Sequence, residues 1–415
     1  MKKMITSAGL VVLGAASLQA QYAPQPGLTS FQTTKPWSVS ASLRGFYDDN
    51  YVTRPSHGID SKRDSFGFEL SPSAGINLMM PQTYLGLNYV YGMRFYEDRK
   101  THRADHSHQA NLKISHAFTE RYKLDVSDSF VVAQEPEVLD PGTARRLRTE
   151  GDNVRNTASA NFTAGLTEQL GTVLGYSNTF YDYEQKGFGS LSALLDRMEH
   201  LGTINLRWQA IPSTVGILGY QYGVTDYDKD SFLAPGVRSD LRDSTSHYAY
   251  LGADHSFTPE LNASLRIGAQ VTQYDNVDKD TVNPYVDGSV TWNYNPQSSI
   301  QLGVRHTRQA TDIPGLLLTE LTLDQESTTA YSSINHKITA KLTGSLLAQA
   351  QHAEFQGGSV DGEAENFLMA GLNLSYEINK FLTAEGGYNF DRLDSDVLDR
   401  SFGRNRVYLG IRATY

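Results

Sequence analysis

The last ten residues read Arg406-Val407-Tyr408-Leu409-Gly410-Ile411-Arg412-Ala413-Thr414-Tyr415, and apolar or aromatic side chains occupy every odd position. Successive side chains of a β-strand point to opposite faces, so this period of two predicts a strand with an apolar and a more polar face. The same alternation starts in the run Trp37-Ser38-Val39-Ser40-Ala41-Ser42-Leu43-Arg44 and recurs between these two ends. Counting the runs predicts an all-β chain of about eighteen strands, in which segments 122–133 and 326–338 alternate least clearly.

The connections between these runs alternate in length. One series is tight, as at Pro81-Gln82 and Asn379-Lys380, whereas the other is long and charged, as in residues 134–152 and 391–403. Outer-membrane barrels place short turns in the periplasm and long loops outside, while soluble sandwiches and propellers do not sort their connections in this way. The pattern therefore predicts a transmembrane antiparallel up-and-down β-barrel with short periplasmic turns and long extracellular loops. A large soluble barrel with an apolar interior is the alternative.

The two faces of the predicted strands differ in chemistry. The apolar face carries aromatic residues towards both strand ends, as expected where such rings lie at the two membrane interfaces. The opposite face is rich in Ser, Thr, Asn, Gln and Gly, and a barrel of this size encloses an aqueous channel. The charged residues predicted to line the pore are Arg44, Arg94, Arg266, Asp287 and Arg305. Of these, Arg266, Asp287 and Arg305 are predicted to form a ladder of ion pairs across consecutive strands.

The N-terminus predicts export. Lys2 and Lys3 precede an apolar stretch over residues 4–18, and Ala20 suits the position before a signal-peptide cleavage site. A retained membrane helix is the alternative, but the stretch is short and no positive flank follows it. The predicted organisation is a signal peptide over 1–20, a flexible periplasmic lead-in over 21–36 and an outer-membrane barrel over 37–415. No segment of a suitable length for a plug domain precedes the barrel, which disfavours a plugged active transporter.

The composition excludes several classes of protein. Lys and Arg number 36 against 46 Asp and Glu, so the formal net charge of −10 argues against a nucleic-acid partner. The absence of cysteine excludes a disulfide scaffold, a thiolate zinc site and a cysteine nucleophile. Hydrolase elbows, P-loops and zinc-protease motifs are missing, so we expect neither an enzyme nor a cofactor. A barrel-embedded hydrolase using His116 or His255 would rest on analogy alone.

Three segments resemble a known family. They are Gly45-Phe46-Tyr47-Asp48-Asp49-Asn50-Tyr51, Gly387-Tyr388-Asn389-Phe390-Asp391-Arg392 and the final strand from Arg404, and they resemble segments of the putative β-barrel porin 2 type. The resemblance covers residues 37–415 and implies an outer-membrane barrel with no catalytic signature and no established substrate. The last strand also resembles the C-terminal signal read by the barrel-assembly machinery, carried here by Val407, Leu409, Ile411 and Tyr415. That signal commonly ends in Phe, so Tyr415 departs from it.

Two clusters could bind metal ions. His102, His106 and His108 lie close together, with His57 in another loop, and a His-x-His pair on a strand presents both imidazoles to one face. The alternative is a lipid-facing strand end at headgroup height, and this interpretation is favoured because no further ligand completes the set. Asp48, Asp49 and Asn50 could bind Ca²⁺ through oxygen atoms. An Asx turn that ends the strand explains them more simply, so no metal site is assigned.

The long loops are candidates for narrowing the pore. Residues 134–152 include Arg145, Arg146 and Arg148 among several acids, which suits either an inward-folded constriction or a solvated outer loop. Leu316 and Leu317 belong to an apolar run that either tucks into the barrel mouth or forms a patch for a partner. Residues 190–200 are predicted to form a short helix, capped by Ser190 or Ser192.

The sequence thus predicts a porin-like channel for passive diffusion of small hydrophilic solutes across the outer membrane. The alternative is a structural or adhesive barrel that presents its loops to a partner. The expected partners are outer-membrane lipid, the barrel-assembly machinery and the solutes themselves. The oligomeric state does not follow from the sequence.

Overall fold

The computed structural model describes residues 36–55, 61–133, 153–313, 321–398 and 400–415. These residues form one closed antiparallel sheet of eighteen strands, and a small loop hairpin is numbered with them as β10 (Phe232–Ala234) and β11 (Val237–Arg238). The barrel strands are β1 (Trp37–Asp48), β2 (Ser65–Met79), β3 (Thr83–Tyr96), β4 (Ala104–Ala117), β5 (Tyr122–Ala133), β6 (Asn153–Gly165), β7 (Leu170–Tyr183), β8 (Arg197–Ile211), β9 (Thr214–Tyr227), β12 (Ser244–Ser256), β13 (Leu261–Tyr274), β14 (Asp280–Asn295), β15 (Ser298–Gln309), β16 (Asp324–Lys337), β17 (Leu342–Gln356), β18 (Ala364–Asn379), β19 (Leu382–Ser395) and β20 (Phe402–Thr414).

Every barrel strand pairs with its neighbours in chain order, and the last strand pairs with the first. The register of this closure joins Ala41 to Ala413 and Asp48 to Arg406, so no sheet edge remains in the barrel. The two least regular segments are strands β5 and β16. The predicted eighteen-stranded, all-β, up-and-down barrel is confirmed.

The connections differ sharply at the two ends of the barrel. At one end, here called the turn end, two to four residues join the strands; at the other, the loop end, five to nineteen residues do so. The sorting of short and long connections is therefore confirmed. The predicted loop over 391–403 is too long, because β19 continues to Ser395 and β20 begins at Phe402. The cross-strand pairing of Asp391 with Arg404 extends the ladder through most of that segment.

Four of the tight turns share one hydrogen-bond pattern. A threonine follows an apolar residue in each turn, and its hydroxyl accepts hydrogen bonds from the backbone N–H groups two and three residues further on. A hydroxyl that satisfies N–H groups in this way favours a turn over continued extended chain. The residues are Thr119, Thr167, Thr258 and Thr339.

The short helix in the loop before β8 is smaller than the sequence predicts. Helix α1 covers Leu191–Leu195, and the Ser190 hydroxyl caps it by accepting a hydrogen bond from the Ala193 N–H. The predicted helix over 190–200 is too long, because residues from Arg197 onward pair with β7 and β9 on either side. Two ladders of interstrand hydrogen bonds satisfy more backbone groups there than one further helical turn would.

The packing inverts that of a soluble domain. On β1, Ser40, Ser42 and Arg44 are buried, whereas Val39 and Leu43 are 49% and 51% exposed. Large apolar side chains at outward positions of many other strands are likewise exposed, for example Leu87, Leu218 and Leu372. An outward belt of exposed apolar residues needs a non-aqueous surrounding, so the barrel surface suits lipid and the interior suits water.

Several predicted features fall outside the described residues. They are the signal peptide with its cleavage near Ala20, the lead-in up to residue 35, His57, and the loop residues Arg145, Arg146, Arg148, Leu316 and Leu317. In the described part of the chain, no helix is both long and apolar enough to cross a membrane.

Candidate functional site

Five ionised side chains form one network on the inner wall where the barrel closes. Arg44 on β1 donates through its Nε to Oε2 of Glu385 on β19 at 2.9 Å and contacts Glu69 on β2 at 3.3 Å. Arg94 on β3 extends the network from Glu69 at 3.1 Å, and Arg412 on β20 pairs with Glu385. Arg44, Glu385 and Arg412 are each less than 10% exposed. We call these five residues the seam network.

The seam network depends on a glycine. Glu385 lies on β19, two strands away from Arg44, so the arginine must cross β20 to reach it. The crossing point is Gly410, which is the cross-strand partner of both residues. A Cβ there would lie 2.6 Å from Arg44 Cγ, so a larger residue would push the guanidinium away from the wall. The arginine therefore lies flat along the wall.

A second charged group lies on the opposite part of the wall. Arg207 and Arg266 both donate to Asp254, at 3.0 and 2.7 Å. Arg305 donates to Asp287 at 3.0 Å. The predicted ladder is therefore correct for Arg305 and Asp287 but wrong for Arg266, although Arg266 and Asp287 are cross-strand partners in the backbone register.

The reason again lies in a glycine. Gly252 is the partner of Arg266 on the other side, and a Cβ there would be 2.5 Å from Arg266 Cδ. The open space above Gly252 lets the guanidinium lie across β12 towards Asp254. The alternation of residues along each strand places these charged side chains on the inner wall, but it does not determine which neighbouring charge each one pairs with.

Aromatic residues cover part of the same wall, which composition did not predict. Tyr250 lies across Gly219, and its hydroxyl donates to Asn205 Oδ1 at 2.7 Å on the strand beyond. Tyr248 and Tyr285 pack edge to face, with ring centres 5.4 Å apart and planes inclined at 72°. The available signal was the presence of a tyrosine and a glycine at inward positions of adjacent strands, where the ring can cover the glycine.

Long loops fold together over part of the loop end. Leu194 and Leu195 of α1 pack with Leu233, Leu321 and Leu323 from two other loops, against inward-facing tyrosines of β7 and β13. Because wall residues belong to this cluster, the loops turn into the mouth of the barrel. We call this arrangement the mouth cluster.

A buried arginine ties the mouth cluster together. Arg242 is 1% exposed, donates to the Thr311 carbonyl at 3.0 Å and to the Leu194 carbonyl, and lies 4.6 Å from the centre of the Tyr227 ring. Burial lowers its pKa from the ordinary value. One side chain therefore joins three connections between strands, a role that its sequence neighbourhood does not signal.

Two aspartates hold the loops against the strand ends. Asp196 accepts a hydrogen bond from the Tyr183 N–H, and Asp243 accepts one from the Tyr227 N–H, both at 2.7 Å. Loss of hydration raises the pKa of Asp196. The same cause raises the pKa of Asp243 to about 6. The protonation of Asp243 therefore changes close to neutral pH.

In the structure, the carboxylates of the Asp48–Asn50 segment bond to arginines and to N–H groups. Asp48 Oδ2 accepts from Arg404 Nε at 2.9 Å and Arg406 Nε at 3.1 Å, and its Oδ1 accepts from the Asn50 N–H at 3.0 Å. The last contact is the predicted Asx turn. Asp49 in turn accepts from the backbone and side-chain N–H groups of Asn405. Two of the three segments that carry the family resemblance, the one at the end of β1 and the final strand, thus fasten the first strand to the last.

The strand histidines bond to hydroxyls on the outward face. His106 Nδ1 lies 2.7 Å from the Tyr91 hydroxyl, and His108 Nδ1 lies 2.7 Å from that of Tyr89. His116 and His255 make the corresponding contacts to Thr83 and Thr214. Within the described ranges, no group of three or more His, Asp or Glu residues is placed to hold a metal ion.

The outward residues of the last strand are strongly exposed. Leu409 is 73% exposed, and Val407, Ile411 and Tyr415 are between 50% and 63% exposed. Sequence comparison matches residues 40–415 to the family described as Putative beta-barrel porin 2. The chain belongs to this family. Membership places the barrel in the outer membrane, among porin-like proteins.

Several solved structures align with most of this chain at low sequence identity. The Acinetobacter baumannii protein OccAB4 is 13% identical, with 92% of this chain and 99% of that chain covered and a TM-score of 0.43. The outer-membrane protein OpdK of Pseudomonas aeruginosa is 11% identical, with 91% of this chain and 99% of that chain covered and a TM-score of 0.46. A BenF-like porin of Pseudomonas fluorescens Pf-5 is 9% identical, with 91% of this chain and 99% of that chain covered and a TM-score of 0.49. Comparison with curated proteins gives no match.

Proposed function

We propose that this porin-family barrel is a channel for passive diffusion of small hydrophilic solutes. The proposal rests on the orientation of the charged side chains on the inner wall, which pair with each other along the wall. The seam network joins strands that are neighbours or next-neighbours, as do the ion pairs of Asp254 and Asp287. These side chains lie along the wall, which supports a barrel axis open to water.

The size of the barrel supports an open lumen. Eighteen strands spaced about 4.8 Å apart and tilted about 40° give a circumference of about 113 Å and a backbone diameter of about 36 Å. Substantial contacts between described barrel strands join sheet neighbours only. Inward side chains alone would not fill such a width. The mouth cluster would then set the size limit for solutes, with residues 134–152 (Arg145, Arg146, Arg148) and Leu316 and Leu317 as further proposed constrictions.

Planar-bilayer recording of the refolded protein tests the channel. We expect discrete conductance steps that fall when neutral sugars small enough to enter the pore are added on both sides, and that stay unchanged with larger sugars. A membrane that contains correctly folded barrel but shows no steps would contradict the channel.

The inner charges also predict a weak preference for anions. The seam network contains three bases and two acids, and the Asp254 group contains two bases and one acid. Charges on the pore wall act on a passing ion at close range, whereas loop charges are screened beyond about 8 Å at physiological salt. Reversal potentials measured in a KCl gradient should show a slightly higher permeability for chloride than for potassium, most clearly at low salt. Clear cation selectivity would contradict this reasoning.

The mouth cluster favours a second candidate, a barrel that serves mainly as a loop platform for a partner. Apolar loop residues packed around the buried Arg242 make a defined surface, which a platform requires. A platform predicts a blocked lumen, so removing residues 228–243 would create conductance that the full chain lacks. If the full chain already conducts, the channel is favoured.

We also propose that an N-terminal signal peptide directs export of the chain and that its last strand directs assembly into the outer membrane. Cleavage after Ala20 would leave Gln21 as the first residue, which N-terminal sequencing of the outer-membrane protein can test. Val407, Leu409, Ile411 and Tyr415 would be recognised by the barrel-assembly machinery before β20 pairs with β1. We propose no catalytic role and no cofactor.

A further inference from the structure

One acidic side chain lies on the outward face of the barrel in the middle of a strand. Asp128 alternates along β5 with the buried, inward-facing Ser129 and shares its face with Phe130, which is 38% exposed. On the other described barrel strands, the outward acids lie within three residues of the loop end, for example Asp182, Asp226 and Glu354. Asp128 therefore differs from them in its depth along the barrel.

The depth of Asp128 follows from strand geometry. Tyr122, which is 40% exposed at the turn end of β5, marks one membrane interface and lies six residues before Asp128. At about 3.4 Å per residue and a tilt of about 40°, six residues rise about 16 Å. The apolar band of an outer-membrane barrel is about 25 Å tall. Asp128 therefore lies among the lipid chains, below their outer boundary.

The chain itself satisfies only part of this carboxylate. Asp128 Oδ1 accepts a hydrogen bond from Asn156 Nδ2 at 3.0 Å, across the outward face of β5 and β6. Among the described residues, no hydrogen bond or ion pair reaches the other oxygen of Asp128, and the amide of Asn156 keeps a second N–H. Lipid chains offer no hydrogen bonds, and ionisable side chains inside a membrane pair with other polar groups. A further partner for this pair must therefore come from outside the barrel.

The surface around Asp128 has small side chains. Its cross-strand partner on β6 is Ala158, the next outward position of that strand is Ala160, and Ala110 on β4 is the partner of Phe130. Of the large apolar side chains that are exposed in the described chain, none belongs to β4 or β6. Small residues let two protein surfaces approach closely in lipid, where polar groups can then bond across the contact.

We propose that the outward face of β4, β5 and β6 around Asp128 is where a second copy of this chain docks in the membrane. Copies of an outer-membrane barrel share one orientation, so a twofold axis along the membrane normal brings this face against itself at one depth. The face is self-complementary, because it carries both an acceptor, the second oxygen of Asp128, and a donor, the second N–H of Asn156. Each carboxylate would accept from the amide of the other copy. A second copy is favoured over another protein because this chain supplies both groups at the required depth.

Cysteine cross-linking tests the contact, because the chain contains no cysteine of its own. Ala158→Cys places one thiol beside Asp128, and a short bis-maleimide is added to the refolded full-length protein in lipid vesicles at a low protein-to-lipid ratio. The matched control is Ala370→Cys, an outward alanine on β18, on the opposite side of the barrel and six residues from the exposed Tyr376. We expect a covalent dimer with Ala158→Cys and only a collisional background with Ala370→Cys.

Substitutions of Asp128 in the Ala158→Cys protein test the polar contact. Asp128→Leu removes the acceptor and suits a lipid-facing position, so it should refold and lower the dimer yield about tenfold. Asp128→Asn keeps an acceptor oxygen and should retain most of the dimer. If Asp128→Leu does not refold, as judged by its heat-dependent gel mobility, Asn156→Leu removes the donor instead and should have the same effect.

Three results would overturn the proposal. The first is an equal dimer yield, or none, from the thiols at positions 158 and 370. The second is an unchanged yield after Asp128→Leu. The third is a cross-link to a different protein in native outer membranes when the purified chain forms no dimer, which would mean that the face binds another partner. None of these results depends on whether the barrel conducts.

Discussion

Replacing Glu385 by Gln should be among the most damaging single changes on the inner wall. Glu385 is 5% exposed and accepts hydrogen bonds from Arg44 at 2.9 and 2.7 Å, and it also pairs with Arg412. Both Arg44 bonds end on Oε2, so a glutamine with its oxygen at that position keeps them as weaker bonds to a neutral acceptor, while its NH2 group faces Arg412 and leaves that cation without its acceptor. Removing the charge of one partner from a buried ion pair costs about 3–5 kcal/mol, and we expect a loss in that range.

The assay is equilibrium unfolding by urea in lipid vesicles, followed by tryptophan fluorescence. The control is Glu377→Gln, an acid on β18 that is exposed and should cost less than about 0.5 kcal/mol. The double variant Glu385→Gln/Arg412→Gln removes one of the two stranded cations and should recover part of the loss.

The outcome separates a structural network from incidental contacts. If Glu385→Gln lowers the free energy of unfolding no more than Glu377→Gln does, the seam network does not stabilise the barrel. If the double variant is less stable than the single one, Arg412 stabilises the barrel through a partner other than Glu385.

Three further predictions follow from the faces, the closure and the mouth. Leu87→Arg on the outward face should cost about 2–4 kcal/mol of unfolding free energy in lipid, while Asn88→Arg should be tolerated; equal damage would reverse the face assignment. Deleting residues 407–415 should leave the chain in the periplasm for degradation, so a normal outer-membrane yield would argue against the closure. Asp243 has a folded pKa of about 6, above its unfolded value, so the mouth cluster should lose stability as pH rises from about 4 through 6. Amide exchange of residues 228–243 should show about 1 kcal/mol more protection at pH 5 than at pH 7.5, and Asp243→Asn should abolish that difference.

The fold was predictable because each strand carries its own signal. A lipid-facing and a water-facing surface force alternation with period two, and the turn end leaves room for only a few residues between strands. Segments 122–133 and 326–338 alternate poorly because polar residues such as Asp128 and Ser332 occupy outward positions. Both are strands because their neighbours on either side pair with them.

The contacts within the sites were less predictable, and the predictions that failed share one cause. Arg266 selects Asp254 rather than Asp287, and Arg44 reaches Glu385 two strands away, because small residues in between leave space for a long side chain. The helix over 190–200 ends early because β7 and β9 both pair with residues from Arg197 onward. In each case, the deciding contact comes from residues distant in the chain.

The sequence by itself determined the strand number, the faces, the order of short and long connections, and the family. These depend on local periodicity and on the membrane as a solvent, and both act on one strand at a time. Only the tertiary structure decided which charges pair, where tyrosines cover glycines, how the Asp48 and Arg404 segments meet, and how Arg242 joins the loops. Closing the barrel brings residues more than 350 positions apart into hydrogen-bond distance, and no local pattern records that approach.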